Sequence, residues 1–135
     1  MSRPRFLADE DLRYQALNVR RERPGDEDAI DVVNCSAFQS MNEANIVRLM
    51  RQYSSSFDPK YSLTAWENDQ IVGHALFTPA RLRLMGKTVE AIALGPIGVV
   101  PHRQRSGIGG HLIRVGHEMA RADGFMMCFL LGHRS

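Results

Sequence analysis

The spacing of apolar and polar residues changes from a strand period to a helical period in the first third of the chain. Residues 16–22 alternate apolar and polar side chains, which predicts a strand with one buried face. Asp26 then stands where it would cap a helix, and the helical spacing continues through Ile30, Val33 and Ala37. A second helix is predicted after Asn42. Its expected core face carries Ile46, Leu49 and Met50.

The middle of the chain predicts a meander of three antiparallel strands. Residues 62–67 and 71–78 are two apolar runs that flank a short polar turn. Pro79 is expected to break or bulge the second strand, because proline has no N–H to donate to a ladder. The chain turns again at residues 85–87, and the third strand returns over residues 89–100.

A helix and one last strand are predicted to follow. The helix begins near Gly107 and ends at Asp123, after which Gly124 suits a left-handed C-cap. Its apolar positions are Ile108, Leu112, Val115, Met119 and Ala122. Residues 125–131 are almost all apolar and predict a strand buried on both faces. This order predicts an α/β fold with a mixed sheet, in which an antiparallel meander is joined to a parallel, right-handed strand–helix–strand crossover.

Composition fits an ordinary soluble domain. The 135 residues are 44% hydrophobic and 24% charged, which suits a single domain over residues 17–135, preceded by an arm of unassigned structure over residues 1–16. A net charge of +2 argues for neither nucleic acid nor a membrane as a partner. No apolar run is long enough to span a bilayer, and the N-terminus has no signal-peptide pattern. We therefore expect a cytoplasmic location.

Cys35 and Cys128 are the two cysteines of the chain, and they stand far apart without a metal-ligand spacing. They are expected to be reduced and buried, and no metal site is predicted.

Glycine and basic residues are concentrated over residues 99–112, where a strand passes into the third helix. The first turn of a helix presents unpaired N–H groups and a partial positive charge, and glycine lets an anion approach the bare backbone. Arg103, Arg105 and His111 add positive charge. The pattern predicts a pyrophosphate cradle, although a tight turn without a ligand fits the spacing equally well. Neither a Walker A loop nor a GxGxxG fingerprint is present.

The six residues Gln104-Arg-Ser-Gly-Ile-Gly109 match the pattern Q/R-x-x-G-x-G/A. This motif resembles the signature of the GCN5-related N-acetyltransferases (GNAT). Residues 71–74, 93–101 and 124–133 also resemble the YhbS-type bacterial subgroup of that superfamily, so the resemblance covers about residues 17–133. It implies the GNAT-type mixed central sheet with helices on both faces. It also implies acetyl-CoA as co-substrate and no metal cofactor.

The resemblance implies which residues hold acetyl-CoA. Backbone amides of the loop would bind the pyrophosphate, at Arg105, Ser106, Gly107, Ile108, Gly109 and Gly110. Gln104, the first residue of the motif, is also counted among the cofactor-binding residues. The pantetheine arm would pair like an extra strand with Ile97, Gly98 and Val99. A break at Gly95-Pro96 is expected to splay this strand from residues 125–131 and open a wedge for the arm. The N–H of Ile97 is then placed to stabilise the oxyanion.

In the implied reaction, a primary amine of a small molecule or a peptide directly attacks the thioester. It requires positioning and a base that removes the ammonium proton. Glu90 and His74 are the two candidate bases. Glu90 also fits an ordinary solvated strand residue, and His74 also fits a structural strand histidine. The sequence does not identify the acceptor.

The resemblance also implies a C-terminal segment with a tyrosine general acid, and no residue of this chain matches it, since only Arg134 and Ser135 follow His133. No general acid is assigned. The strand at 125–131 is then expected to form a sheet edge and to support a homodimer. Two alternatives to an active enzyme stay open: a non-catalytic acyl-CoA-binding module or truncated fragment, and an interaction domain that binds no CoA.

Overall fold

A computed structural model describes residues 17–130 of the chain. The strands are β1 (Leu17–Arg21), β2 (Ser62–Glu67), β3 (Gln70–Leu84), β4 (Lys87–Val99) and β5 (Met127–Leu130). The helices are α1 (Glu27–Phe38), α2 (Asn42–Tyr53) and α3 (Ile108–Ala122), with short 3₁₀ turns at Pro59–Tyr61 and Pro101–Arg103. The predicted arm at 1–16 lies outside the described residues.

The five strands form one mixed sheet in the order β1-β2-β3-β4-β5. The first four pair antiparallel, and β5 pairs parallel with β4. α3 makes the connection between the two parallel strands. The predicted α/β class, the meander and the parallel crossover are therefore confirmed.

Helices cover both faces of the sheet. Phe77 of β3 packs against Gly116 of α3, whereas Gly98 of β4 packs against Ala37 and Phe38 of α1. His74 lies opposite Gly98, and because side chains alternate along a strand it points to the face opposite that of Phe77. The α3 face carries the larger apolar core, and a smaller cluster lies under α1 and α2.

The predicted break at Pro79 is wrong, because β3 runs through this residue. Pro79 lies opposite Ile92 of β4, and the neighbouring Glu90 carbonyl of β4 accepts the Met126 N–H at 2.9 Å. Even-numbered residues in this part of β4 thus direct their backbone N–H and C=O groups towards β5. Since Ile92 is one of them, its partner Pro79 forms no backbone hydrogen bond with β4 and directs its backbone nitrogen away from that strand. β2 pairs with β3 only as far as Leu76. The missing N–H of the proline therefore faces a side on which no strand of residues 17–130 pairs with it, and it is tolerated there.

The predicted core face of α2 is also wrong in part. Ile46 and Leu49 are 48% and 55% exposed, while Ala44 and Val47 are fully buried. Apolar residues occupy both sides of this helix, and its main packing partner is α1. The sequence pattern alone favoured the larger side chains.

Two further helix details differ from the predictions. In α3, Ala122 is exposed, and Gly116 and Ala120 form part of the buried face instead. Asp26 does occupy the N-cap position of α1, but its side chain accepts hydrogen bonds from Arg20 and from the Arg23 N–H rather than from the helix. The pKa of this carboxyl is lowered, chiefly by its hydrogen bond to Arg20.

β5 lies at the edge of the sheet, as expected, but the prediction that it is buried on both faces is wrong. Met127 and Leu130 are exposed, and Met126 just before the strand is 78% exposed. The cysteine prediction is corrected in the same way: both thiols are free, but Cys35 is half-buried and Cys128 is exposed.

The Tyr61 hydroxyl ties the turn before β2 to the end of α3 by donating a hydrogen bond to Asp123, which also binds Lys60 at 2.7 Å. Burial raises the pKa of Tyr61, and the hydrogen bond to Asp123 adds to this effect. We expect Tyr61→Phe to lower the free energy of unfolding by about 1 kcal/mol, because one partly exposed side-chain hydrogen bond is lost. Urea denaturation measures this, and Tyr53→Phe, at an exposed tyrosine, should change nothing. Equal effects of the two variants would contradict the assignment.

Candidate functional site

The loop between β4 and α3 ends in a helix terminus that no side chain of residues 17–130 caps. Gly107 is the N-cap residue, with a φ of 88°, and Arg105 also has a positive φ of 63°. The His111 N–H donates to the Gly107 carbonyl at 3.0 Å, which makes it the first intrahelical bond. The amides of Ile108, Gly109 and Gly110 precede it and point out of the helix end.

The glycines after the N-cap are not required by packing. A Cβ at Gly109 would meet only Val99 at 3.9 Å, and a Cβ at Gly110 would meet only the Arg114 guanidinium at 3.6 Å. Neither glycine has a positive φ. Their missing side chains leave the first turn of α3 open, which suits the approach of an anion to the backbone.

The side chains of the loop mainly brace it. The Gln104 amide donates to the carbonyls of Val99 (2.9 Å) and Ala37 (3.4 Å), and Ser106 donates to the Arg103 carbonyl at 2.5 Å. Arg103 pairs with Glu67 at 2.6 Å, so this predicted basic residue is already neutralised. Gln104 and Ser106 therefore shape the predicted cradle through their side chains.

Arg114 is a basic residue that the sequence reasoning missed. Its guanidinium comes within 3.6 Å of the position that a Cβ on Gly110 would take. The sequence contained the information needed to find it, because Gly110 and Arg114 are four positions apart and residues at this spacing are neighbours on a helix. Together with exposed Arg105, this side chain supplies positive charge beside the open helix end.

β4 changes the direction of its backbone groups at Gly95 and Pro96. Gly95 and Pro96 of β4 oppose the single residue Leu76 of β3 there, which is a β-bulge, and the Gly95–Pro96 peptide is cis. Beyond the bulge, the Val100 N–H donates to the Val72 carbonyl at 2.9 Å. By alternation, Gly98 bonds to β3, and Ile97 and Val99 direct their N–H and C=O groups to the other edge. The Val99 carbonyl accepts the Gln104 amide.

β5 pairs with β4 only from Ala91 to Leu94 among the described residues. The outward groups of Ile97 and Val99 thus lie beyond the last described pair. The predicted splay of the 125–131 strand past Leu130 lies outside the described residues and stays a prediction.

His74, one of the two candidate bases, is fully buried between β2, β3 and α1. Its Nδ1 lies 3.1 Å from the Asn34 amide nitrogen and its Nε2 lies 2.9 Å from Ser62 Oγ. Ser62 in turn donates to Glu22 at 2.6 Å, and Glu22 pairs with Arg51. Burial lowers the pKa of His74 to about 3 from an ordinary value of 6.5, and the Arg51 charge adds to this effect. The imidazole is neutral and has no open access to a substrate.

This burial predicts a loss of stability in acid. The unfolded chain takes up a proton on His74 below about pH 6.5, whereas the folded chain does not until about pH 3. The free energy of unfolding therefore falls with pH across this window, and His74 contributes a loss of about 2 kcal/mol between about pH 7 and about pH 5. Urea denaturation at the two pH values should show this loss in the parent. It should be smaller by that amount in His74→Gln, and an identical pH dependence would contradict the assignment.

Glu90, the other candidate base, lies near the start of β4, at the opposite end of this strand from Ile97. Its exposed carboxylate pairs with Arg81 at 3.0 Å. It borders a cleft of about 640 Å³, whose other lining residues are Ser55, Ser56, Phe57, Asp58, Pro79, Ala80 and Arg81. Ile97 is seven positions further along β4, which corresponds to about 20 Å of extended strand. The structure does not bring Glu90 together with the outward N–H of Ile97.

Within residues 17–130, the His, Cys, Asp and Glu side chains form no group of three that could hold a metal ion. None of the helices in that range is long and apolar enough to cross a membrane.

The fold and the loop motif agree with comparisons to known proteins. The family model described as an acetyltransferase (GNAT) domain matches residues 18–134. The chain therefore belongs to the GNAT acetyltransferase family. It is 37% identical over 108 residues to the uncharacterized N-acetyltransferase YjhQ of Escherichia coli (strain K12), a match that covers 78% of this chain. The matched region spans only 59% of the length of YjhQ.

Two solved structures share the fold. A GNAT family acetyltransferase from Brucella melitensis, in complex with acetyl-CoA, is 36% identical with a TM-score of 0.75, over 88% of this chain and 77% of that one. YhbS from Escherichia coli, in complex with CoA, is 23% identical with a TM-score of 0.70, over 82% of this chain and 59% of that one. The second likeness concerns the fold alone.

Proposed function

We propose that this chain binds acetyl-CoA and transfers its acetyl group to a primary amine. The observation that carries the proposal is the uncapped first turn of α3, kept open by Gly109 and Gly110, beside the outward-facing edge of β4. The similar Brucella protein in complex with acetyl-CoA supports this choice of co-substrate.

The pyrophosphate would bind the amides of residues 105–110, with Arg105 and Arg114 adding positive charge. The pantetheine arm would pair with the outward groups of Ile97 and Val99. Gly98 would contribute by its small size, since a Cβ there would come within 3.0 Å of Asn34 and 3.1 Å of Ala37. This close packing holds α1 against the strand that receives the arm.

Catalysis would then depend on positioning and on one backbone donor. An amine held against the thioester carbonyl attacks it directly. The N–H of Ile97 points away from β3 and would stabilise the negative charge that develops on the carbonyl oxygen. The proposal assigns no base, because His74 is sealed by its hydrogen bonds and Glu90 is paired with Arg81 at the far end of β4.

The experiment is amine-dependent release of CoA from acetyl-CoA, followed by chromatography. A thiol reagent is unsuitable because Cys128 is a free, exposed thiol. Primary amines of a small-molecule and peptide panel should release CoA, and the matched N,N-dimethyl amines should not, because they cannot form a stable amide. Binding of acetyl-CoA without any amine-dependent release would favour the alternative of a non-catalytic acyl-CoA-binding module.

The homodimer through the 125–131 strand stays a proposal of its own. It is supported by the edge position of β5 and by the exposure of Met127 and Leu130. Sedimentation equilibrium tests it: a dimer that Leu130→Lys converts to monomer supports it, and a monomeric parent chain rules it out.

A further inference from the structure

Arg114 of α3 places its charge beside the first turn of its own helix. Side chains of a helix lean towards its N-terminus, and the Arg114 guanidinium accordingly lies 3.6 Å from the position that a Cβ on Gly110 would take. The missing side chain of Gly110 leaves room for the guanidinium at this place. The exposed surface at the start of α3 therefore carries a cation that belongs to its second turn.

The Arg114 guanidinium forms no ion pair with an acidic side chain of residues 17–130. Glu118 is four positions further along α3, a spacing at which side chains of a helix can meet, yet the two do not pair. Arg103 in the preceding loop, by contrast, is neutralised by Glu67 at 2.6 Å. The charge of Arg114 thus lies towards the N-terminal end of α3 and is available to an anion.

The guanidinium lies on the flank of α3, whereas the unbonded amides lie at its end. The amides of Ile108, Gly109 and Gly110 point along the helix axis, where the pyrophosphate of CoA binds in the proposed function. A Cβ projects sideways from a helix, so a group that contacts the Cβ position of Gly110 lies beside the axis. The backbone supplies the donors for the pyrophosphate, and Arg114 is placed for a second anionic group next to it.

CoA carries such a group, because its ribose holds a phosphate monoester on the 3′ oxygen, a few bonds from the pyrophosphate on the 5′ oxygen. A phosphate monoester has a charge of about −1.5 to −2 at pH 7, and a guanidinium can bind it through two parallel hydrogen bonds. We propose that Arg114 is a specificity-determining residue that binds the 3′-phosphate of CoA and thereby selects CoA over dephospho-CoA, which lacks this group. The inference rests on the proposed function, because it needs the pyrophosphate to bind at the α3 terminus.

The test is calorimetric measurement of the Kd for CoA and for dephospho-CoA in the parent chain and in Arg114→Gln. We expect the parent to bind CoA about tenfold more tightly than dephospho-CoA, as fits one charge-assisted contact. Arg114→Gln should raise the Kd for CoA about tenfold and leave the Kd for dephospho-CoA unchanged. Arg114 is exposed and glutamine is a good helix former, so the variant should fold like the parent.

Arg121→Gln is the matched control, because Arg121 is an exposed arginine in the last turn of the same helix. It removes the same charge from α3 at the end away from Gly110, and both Kd values should stay as in the parent. The inference is overturned if the parent binds the two ligands equally, or if Arg114→Gln keeps the parent's preference for CoA. It is also overturned if Arg121→Gln lowers that preference as much as Arg114→Gln does. A parent chain that binds neither ligand overturns the proposed function itself.

Discussion

Replacing Gly116 by alanine is expected to destabilise the fold by about 3 kcal/mol or more. A Cβ at this position would lie 2.0 Å from Cζ of Phe77, and 2.3 and 2.6 Å from its Cε1 and Cε2 atoms. Phe77 is fully buried at the centre of the larger core, so its ring has no free space into which to move. Either α3 must lift from the sheet or the core must repack. Urea denaturation of the variant gives the loss directly.

Gly110→Ala is the matched control in the same helix. Its Cβ would meet nothing closer than the Arg114 guanidinium, the end of a flexible side chain. Alanine is also a better helix former, so the variant should be as stable as the parent or more stable by up to about 1 kcal/mol. A small loss at Gly116, similar to the change at Gly110, would contradict the packing of α3 on Phe77.

Replacing Gly107 by glutamate is expected to weaken acetyl-CoA binding by at least about 100-fold, because it places a side chain and a negative charge at the helix end proposed for the pyrophosphate. The measurement is the rise in melting temperature on addition of acetyl-CoA, since a ligand that binds the folded state stabilises it. The parent should show a clear rise, and Gly107→Glu should show none.

Gly124→Glu controls for the backbone strain of that substitution. Gly124 follows the other end of α3 with a φ of 89°, almost equal to the 88° of Gly107. Both variants force glutamate into a conformation that favours glycine, so their melting temperatures without ligand should fall by similar amounts. Only Gly124→Glu should keep the response to acetyl-CoA. A full response in Gly107→Glu would place the ligand elsewhere.

The loop before α3 could be predicted from the sequence because its signals are local. Gly107, the helical spacing that follows it and Gly124 lie close together in the chain and determine where the helix begins and ends. The same holds for the turn at Met85 and Gly86, both of which have a positive φ. Local backbone preferences determine such features before any distant contact forms.

The environment of His74 could not be predicted, because it depends on distant residues. Asn34 lies 40 positions from His74, and Ser62 lies 12 positions from it. Ser62 and Glu22 are again 40 positions apart. Only the pairing of β2 with β3 and the docking of α1 bring these groups together, so the sequence left open whether the histidine is a base or a structural residue.

The errors at Pro79 and in α2 have a related cause. Proline is tolerated in β3 because β2 begins opposite Leu76 and does not extend alongside Pro79, which the sequence around Pro79 does not reveal. α2 presents apolar residues on two faces, and the choice between Ala44 and Leu49 as a core residue depends on which face docks against α1. Patterns of one segment do not contain this information.

An NMR titration of the ¹⁵N-labelled chain with acetyl-CoA tests the central claim most directly. If the α3 terminus and the β4 edge form the site, the largest shifts of amide signals will occur at residues 105–110 and at Ile97 and Val99. Signals of the β3–β4 turn around Gly86 should stay in place. Shifts confined to another surface, or none at saturating acetyl-CoA, would contradict the account.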